Sequence, residues 1–447
     1  MYRELPKLIM FRELGEDSIL GNLAEIIREQ ESEVYDKLEL TGRIYREIRR
    51  ILSLGTDYGF DKNLWHDYIA YVLVTNENPF SLTLERLGSG EGSVNSIVLG
   101  DMKVFNKLFN YDFSGLEEAL GIDCFSTITN YTSIQKRTQL YNRNVSEKVR
   151  SLSDTIAEEL GKAGKVRLDE GMTAAVTLKV VSDFYKKFGV GMFGLNTAFR
   201  VAPGVKFTPI NNTDSFMLDD LIGYEIQKNK LRENTEAFLD GKPANNVLLF
   251  GDAGTGKSTS IKALINEYQD RGLRMIELYK HQMHMLSSVI SAVKNRNYRF
   301  IIYMDDLSFE EDETEYKYLK AVIEGGLETR PDNVLIYATS NRRNLIRETW
   351  NDISDIELDK HRSDTLQEKL SLVSRFGITI PYMKPNKKQY EEIVKGLAEK
   401  SGIMGEEASE TSGYTYEQLL AEANKWSVEH GGMSGRAARQ LIDSLTR

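Results

Sequence analysis

The stretch Asn245–Leu264, NNVLLFGDAGTGKSTSIKAL, constrains what this 447-residue chain can fold into more than any other segment. Its apolar run, Asn246–Phe250, has the length of one buried parallel strand. Gly251–Ser258 satisfies G-x-x-x-x-G-K-[ST] at every position. Ser258–Tyr268 then carries Ile261, Leu264 and Ile265 at helical spacing. Glycines let the backbone wrap so that successive N–H groups point at phosphate, and the following helix adds its positive end. A nucleoside triphosphate such as ATP suits this cradle. Lys257 would reach its β- and γ-phosphates, and the Ser258 hydroxyl would ligate Mg²⁺. Asp252, Ala253, Gly254, Thr255, Gly256 and Thr259 are the remaining contact candidates of the loop. The bland alternative is a glycine turn ahead of a core helix.

Strand-like runs follow at Met275–Leu278, Phe300–Met304 and Val334–Ala338, with a helix expected over Met285–Lys294. This alternation predicts an α/β fold with a parallel sheet. The second run ends in Asp305-Asp306. Paired carboxylates at the end of a buried strand need a reason, because buried charge is costly unless paired or metal-bound. At the carboxyl edge of an open sheet, Asp305 would face Lys257 and Ser258 and hold Mg²⁺ through its water shell. Asp306 would orient or deprotonate an attacking water. Two acids capping the next helix is the competing explanation. Asn341, just past the third run, is placed to position that water, or is a turn asparagine.

The rest of the chain bounds this reading. Net charge is −10, which argues against broad nucleic-acid binding. Cys124 is the only cysteine, so no internal disulfide forms. There is no signal-like apolar run at the N-terminus and no 18-residue apolar window, so a cytoplasmic protein without membrane contact is expected. Helical periodicity covers Ser18–Gln30, Glu31–Leu54, Leu64–Val74, Val94–Leu108, Val145–Leu160 and Met172–Phe188, with a joint near 89–93. Arg43, Arg46, Arg49 and Arg50 share a helix face opposite Ile44, Ile48 and Ile51. A solvated face explains them more simply than a contact with nucleic acid or an acidic partner. His66 beside Trp65 reads as packing. Gly189, Gly191 and Gly194 mark a boundary, and Lys206–Phe216 reads as a polar connector. The expected domains are therefore a mostly helical 1–205, an α/β 206–385 and a helical 386–447. The polar stretch 344–369 is expected to be a mobile loop.

From Asp219 onward the motifs together resemble the AAA+ ATPase superfamily, and the chain is similar to a bacterial AAA+ family of unknown function. The resemblance implies a P-loop sheet core with a C-terminal helical lid. Asp219-Asp220-Leu221-Ile222-Gly223-Tyr224 looks like the segment lining the adenine pocket, with Ile222 and Gly223 as contacts. Gly251–Ser258 resembles Walker A, Ile301–Asp306 resembles Walker B, and Asn341 falls at sensor 1. Ser374-Arg375-Phe376-Gly377 looks like the arginine-finger motif, and Arg436 matches sensor 2, with Arg439 one turn on. The catalytic set so implied is Lys257, Asp306, Asn341, Arg375 and Arg436. Arg375 acting in trans implies a homo-oligomeric ring such as a hexamer, or at least a dimer. Asp306 stands where many relatives have Glu, with Glu310 a weaker substitute, and the segment 279–283 lacks the pore loop of threading unfoldases. Three functions follow: a Mg²⁺-dependent ATPase moving its lid and N-terminal domain against a protein or nucleic-acid partner, a slow-hydrolysing assembly switch, or a DNA-associated loader.

Overall fold

A computed structural model describes residues 1–446 apart from 16, 33, 89–91, 134–142, 212–214, 311–312, 325–330, 343–344, 346–371 and 404–413. Most of the joint expected near 89–93, and the loop expected over 344–369 except for Leu345, lie outside the described residues. The chain forms two compact units, Met1–Asn196 and Thr197–Arg447.

The first unit is helical. Its α-helices are α1 (Ile19–Gln30), α2 (Lys37–Tyr58), α3 (Leu64–Thr75), α4 (Pro79–Leu87), α5 (Val94–Phe109), α6 (Ser114–Leu120), α7 (Cys124–Thr129), α8 (Arg143–Val166), α9 (Glu170–Phe188) and α10 (Gly191–Leu195). Side-chain caps set the starts of α1, α2, α3, α4 and α9: Ser18, Asp36, Asn63, Asn78 and Asp169 accept from first-turn N–H groups. The helix expected over Glu31–Leu54 therefore begins later, at Lys37 behind Asp36, and runs on to Tyr58, where Gly59 takes a φ of +66°. Ile44 and Ile51 are fully buried, while Arg43 pairs with Glu29 and Arg50 with Glu47 and Asp17. Two of the four arginines are thus ion-paired, and Arg46 and Arg49 are exposed. His66 stacks on Phe109 with ring centroids 3.8 Å apart, and burial pushes its pKa down to about 4.

The second unit is built on one sheet: β1 (Ala198–Ala202), β2 (Lys206–Pro209), β3 (Val247–Gly251), β4 (Leu273–Glu277), β5 (Arg299–Met304), β6 (Val334–Ser340) and β7 (Ile378–Tyr382). Their spatial order is β2-β1-β4-β5-β6-β3-β7, with only the β1–β2 hairpin antiparallel. The connector expected over Lys206–Phe216 therefore opens with a strand, because Phe207 and its neighbours pair along β1. The boundary expected at 205/206 falls inside this hairpin, whereas the compact unit starts at Thr197. Strands β5 and β6 are buried along nearly their whole length, as parallel strands covered on both faces must be.

Among the described residues, four helices cover the sheet: α11 (Glu225–Leu239), α12 (Lys257–Tyr268), α13 (Leu286–Val293) and α14 (Tyr316–Glu324). After β7 come α15 (Lys387–Lys400), α16 (Tyr416–Glu429) and α17 (Gly435–Leu445), which enclose their own small core of Tyr390, Val394, Leu419, Ala438 and Leu441. Among the described residues no helix is long and apolar enough to cross a membrane.

Candidate functional site

The chain leaves β3 for β4 by crossing two strands and returns to the other side of β3 for β7. Such a reversal opens a crevice beyond the carboxyl ends of the strands. Here it holds a cavity of about 670 Å³. The loop 251–256 forms its floor. Gly254 and Gly256 have φ of +75° and +95°, and Gly251 has φ of +131°, where a Cβ would collide with the Tyr382 carbonyl oxygen. Gly256 is the N-cap of α12 and offers no side chain to the first turn, so those N–H groups remain available to an anion.

A hydrogen-bonded chain joins the loop to the ends of β5 and β6. The Lys257 ammonium donates to the carbonyls of Gly251 (2.9 Å) and Asp252 (2.6 Å) and to Asn341 Oδ1 (2.9 Å). Asn341 Nδ2 donates to Asp306 Oδ1 at 2.8 Å. Ser258 Oγ and Thr339 Oγ1 both donate to Asp305 Oδ1 at 2.6 Å. Burial works against charge on Asp305, but the Ser258, Thr339 and Tyr303 hydroxyls and the Lys262 charge together outweigh it and hold the carboxyl below its ordinary pKa. Burial, the largest influence on Lys257, lowers its pKa despite the nearby aspartates. Asp306 has φ of +49°, a left-handed conformation costly for a residue with a side chain.

The lid closes the other side. Arg436 and Arg439 of α17 line the cavity, and the Arg436 N–H donates to the Gly254 carbonyl at 3.2 Å. Leu221 and Ile222 face Ile393 and Leu397 of α15, which makes one end of the cavity apolar. Gly396 lets this approach happen, because a Cβ there would come within 2.6 Å of Ile222.

Of the expected residues, Ile222, Ala253, Gly254, Thr255, Gly256, Lys257, Ser258, Thr259, Asp305, Asp306, Asn341 and Arg436 all line this cavity. Gly223 does not; at φ of +81° it turns the chain between Ile222 and Tyr224. Asp252 points away, its carboxylate accepting from the Lys384 N–H at 2.7 Å. Arg375 lies just before β7, whose first residue pairs with Val247 while its last pairs with Gly251. It is therefore at the opposite end of the strand from the loop, at least about 13 Å away at ~3.3 Å per residue. Glu310 does not line the cavity. Sequence reasoning missed Thr339, Ile393, Leu397 and Gln440. Only Thr339 left a signal, at the end of the third strand-like run and two positions before Asn341.

A divalent ion fits the carboxyl end of β5. The Tyr303 hydroxyl is buried against Asp305 and Ser258, so three side-chain oxygens meet at this strand end. No group of three or more His, Cys, Asp or Glu is assembled for a metal among the described residues. An ion here would thus rest on Ser258 and Asp305, with water and phosphate completing its shell.

A central lysine loop strand flanked by β6 and β7, two acids at the end of β5, an amide after β6 and a helical lid define a P-loop fold of the AAA+ class. The chain belongs to the family described as "Protein of unknown function (DUF815)", which matches residues 195–447. No curated protein matches the sequence. Among solved structures, the chain is similar to the RuvB Holliday junction branch migration motor of Thermotoga maritima, at 16% identity over 51% of this chain and 71% of that one, with a TM-score of 0.31. A mutant of the same protein matches at 17% identity with the same coverage and TM-score.

Proposed function

We propose that this protein binds ATP with Mg²⁺ in the cavity and hydrolyses it to ADP and phosphate. The observation that carries the reading is the unbroken chain of hydrogen bonds from Lys257 through Asn341 to Asp306, with Ser258 and Asp305 joined beside it. The apolar end at Leu221, Ile222, Ile393 and Leu397 suits a nucleobase, and the loop N–H groups with Lys257 suit the phosphates. Ser258 and Asp305 would hold Mg²⁺, which when bound neutralises and orients the phosphate oxygens. Asp306, aimed by Asn341, accepts a proton as water attacks the γ-phosphorus in line. Arg436 senses the phosphates from the lid. Catalysis is by positioning and charge stabilisation rather than by a covalent intermediate.

Arg375 serves the site of a neighbouring copy. Its distance from its own loop motivates this, and it makes the working unit a homo-oligomeric ring such as a hexamer. Nucleotide state would then move the 386–447 lid and the N-terminal helical domain against a partner. The three-domain division belongs to this proposal.

The test is ATP binding and phosphate release by the full chain and by Lys257→Ala. Wild type should bind and turn over, while the variant loses tight binding. Retained affinity in Lys257→Ala would overturn the site assignment. A second reading, a slow-hydrolysing assembly switch, is favoured by the shorter Asp306 in its strained backbone conformation. Under it, Asp306→Asn and wild type release phosphate equally slowly. Under the ATPase reading the variant is slower by about 100-fold.

A further inference from the structure

Thr339 is the penultimate residue of β6 and lies inside the protein, 1% exposed. Its hydroxyl donates to Asp305 Oδ1 at 2.6 Å and accepts from the Asp306 N–H at 2.9 Å. Its carbonyl accepts from the Leu307 N–H at 2.7 Å. One residue thus holds three consecutive positions, at the point where Asp306 adopts a φ of +49°. A strand end needs only the carbonyl contact to stay registered. The two hydroxyl bonds do something else: they fix the rotation of one aspartate and the backbone of the other.

We propose that Thr339 is a positioning residue for the metal-binding carboxylate, aiming Asp305 at the ion and setting the turn that points Asp306 toward Asn341. The inference rests on the ATPase reading above. Partners that orient a metal ligand commonly govern metal affinity by 10–100-fold. Thr339 lies at the cavity wall, but its hydroxyl is committed to the two aspartates, and it acts through them. Its loss should therefore be felt in the response to Mg²⁺ and not in the metal-free grip on nucleotide.

The experiment compares the full chain with Thr339→Val, which keeps the shape and removes the hydroxyl, and Thr339→Ser, which restores it. A fluorescent ATP analogue reports affinity in EDTA and across a Mg²⁺ titration, and phosphate release gives kcat and KM. In Thr339→Val the Mg²⁺ concentration for half-maximal response should rise about tenfold or more. Its kcat should fall while analogue affinity in EDTA stays at the wild-type value, and Thr339→Ser should return both to near wild type. An unchanged Mg²⁺ response in Thr339→Val, an equal loss in Thr339→Ser, or an equal loss of affinity in EDTA overturns the proposal. Should the valine variant not fold, Thr339→Cys, with its weak donor, is held to the same outcomes. A wild-type chain that binds no nucleotide overturns the ATPase reading itself. A wild type that binds while Thr339→Val responds normally to Mg²⁺ overturns only the role of Thr339.

Discussion

Gly251 shows how little room the loop leaves. Its φ is +131° and a Cβ would meet the Tyr382 backbone, so neither the conformation nor the space admits alanine. Gly251→Ala should lower unfolding stability by on the order of 2–4 kcal/mol, since backbone strain and a clash act together. Thermal melting of the α/β unit would show it, and an unchanged melt would mean the loop can relax away from β7. A second residue carries a pH signature. Burial, its largest influence, pushes the Asp67 carboxyl up to about 6 from 3.8. The folded state therefore binds the proton more tightly between about pH 4 and 6, and stability falls as pH rises through that window and stays lower above it. Asp67→Asn should be more stable than wild type at pH 7 by on the order of 2 kcal/mol and show no such gain at pH 4. Urea unfolding of the full chain at the two pH values checks this. An equal gain at both would assign the effect to packing.

Among the elements, the lid helix α17 depends on its start. Ser434 caps it, accepting from the Ala437 N–H at 3.1 Å, and its side chain also sits against Gly254. Removing such a cap costs about 1 kcal/mol. Ser434→Ala should therefore weaken nucleotide binding several-fold by loosening Arg436. Thr415→Ala, an equivalent cap on α16, which contributes nothing to the cavity, should leave binding unchanged. Equal effects from both, in a nucleotide titration, would reduce the lid to general stability. The elements also show what the sequence could and could not disclose. The loop, the paired aspartates and Asn341 were legible because their chemistry is written in residue type and spacing. Strand β7 was not, since Pro381 interrupts a short run that is tolerated only on a sheet edge. Nor was β2, whose alternating pattern is only half buried and is held by β1. The start of α2 was misplaced because apolar spacing continues through Val34 and Tyr35, and the cap at Asp36 decides instead. Ile393 and Leu397 read as ordinary core positions of a helix. Only the folded lid brings them over Ile222.

At the scale of the whole molecule, the placement of Arg375 makes the strongest demand. Arg375 precedes the amino end of β7, whereas the loop leaves the carboxyl end of β3, and the proposed role in a neighbouring copy rests on that separation. Arg375→Ala should leave ATP binding intact and reduce turnover by about a thousandfold, the scale on which such arginines act. Steady-state rate per subunit should climb with wild-type concentration as copies assemble. A flat concentration dependence, or an unaltered rate in the variant, would remove the shared site.

The resting ammonium of Lys257 has given all its hydrogens to oxygens of its own chain. An arriving triphosphate must therefore win them by exchange, so the heat released on association will be small for the affinity reached. The same exchange frees one face of the Asn341 amide, whose other face grips Asp306. Under the proposed function, a nucleotide that displaces the Lys257 ammonium would reach Asp306 through this single side chain.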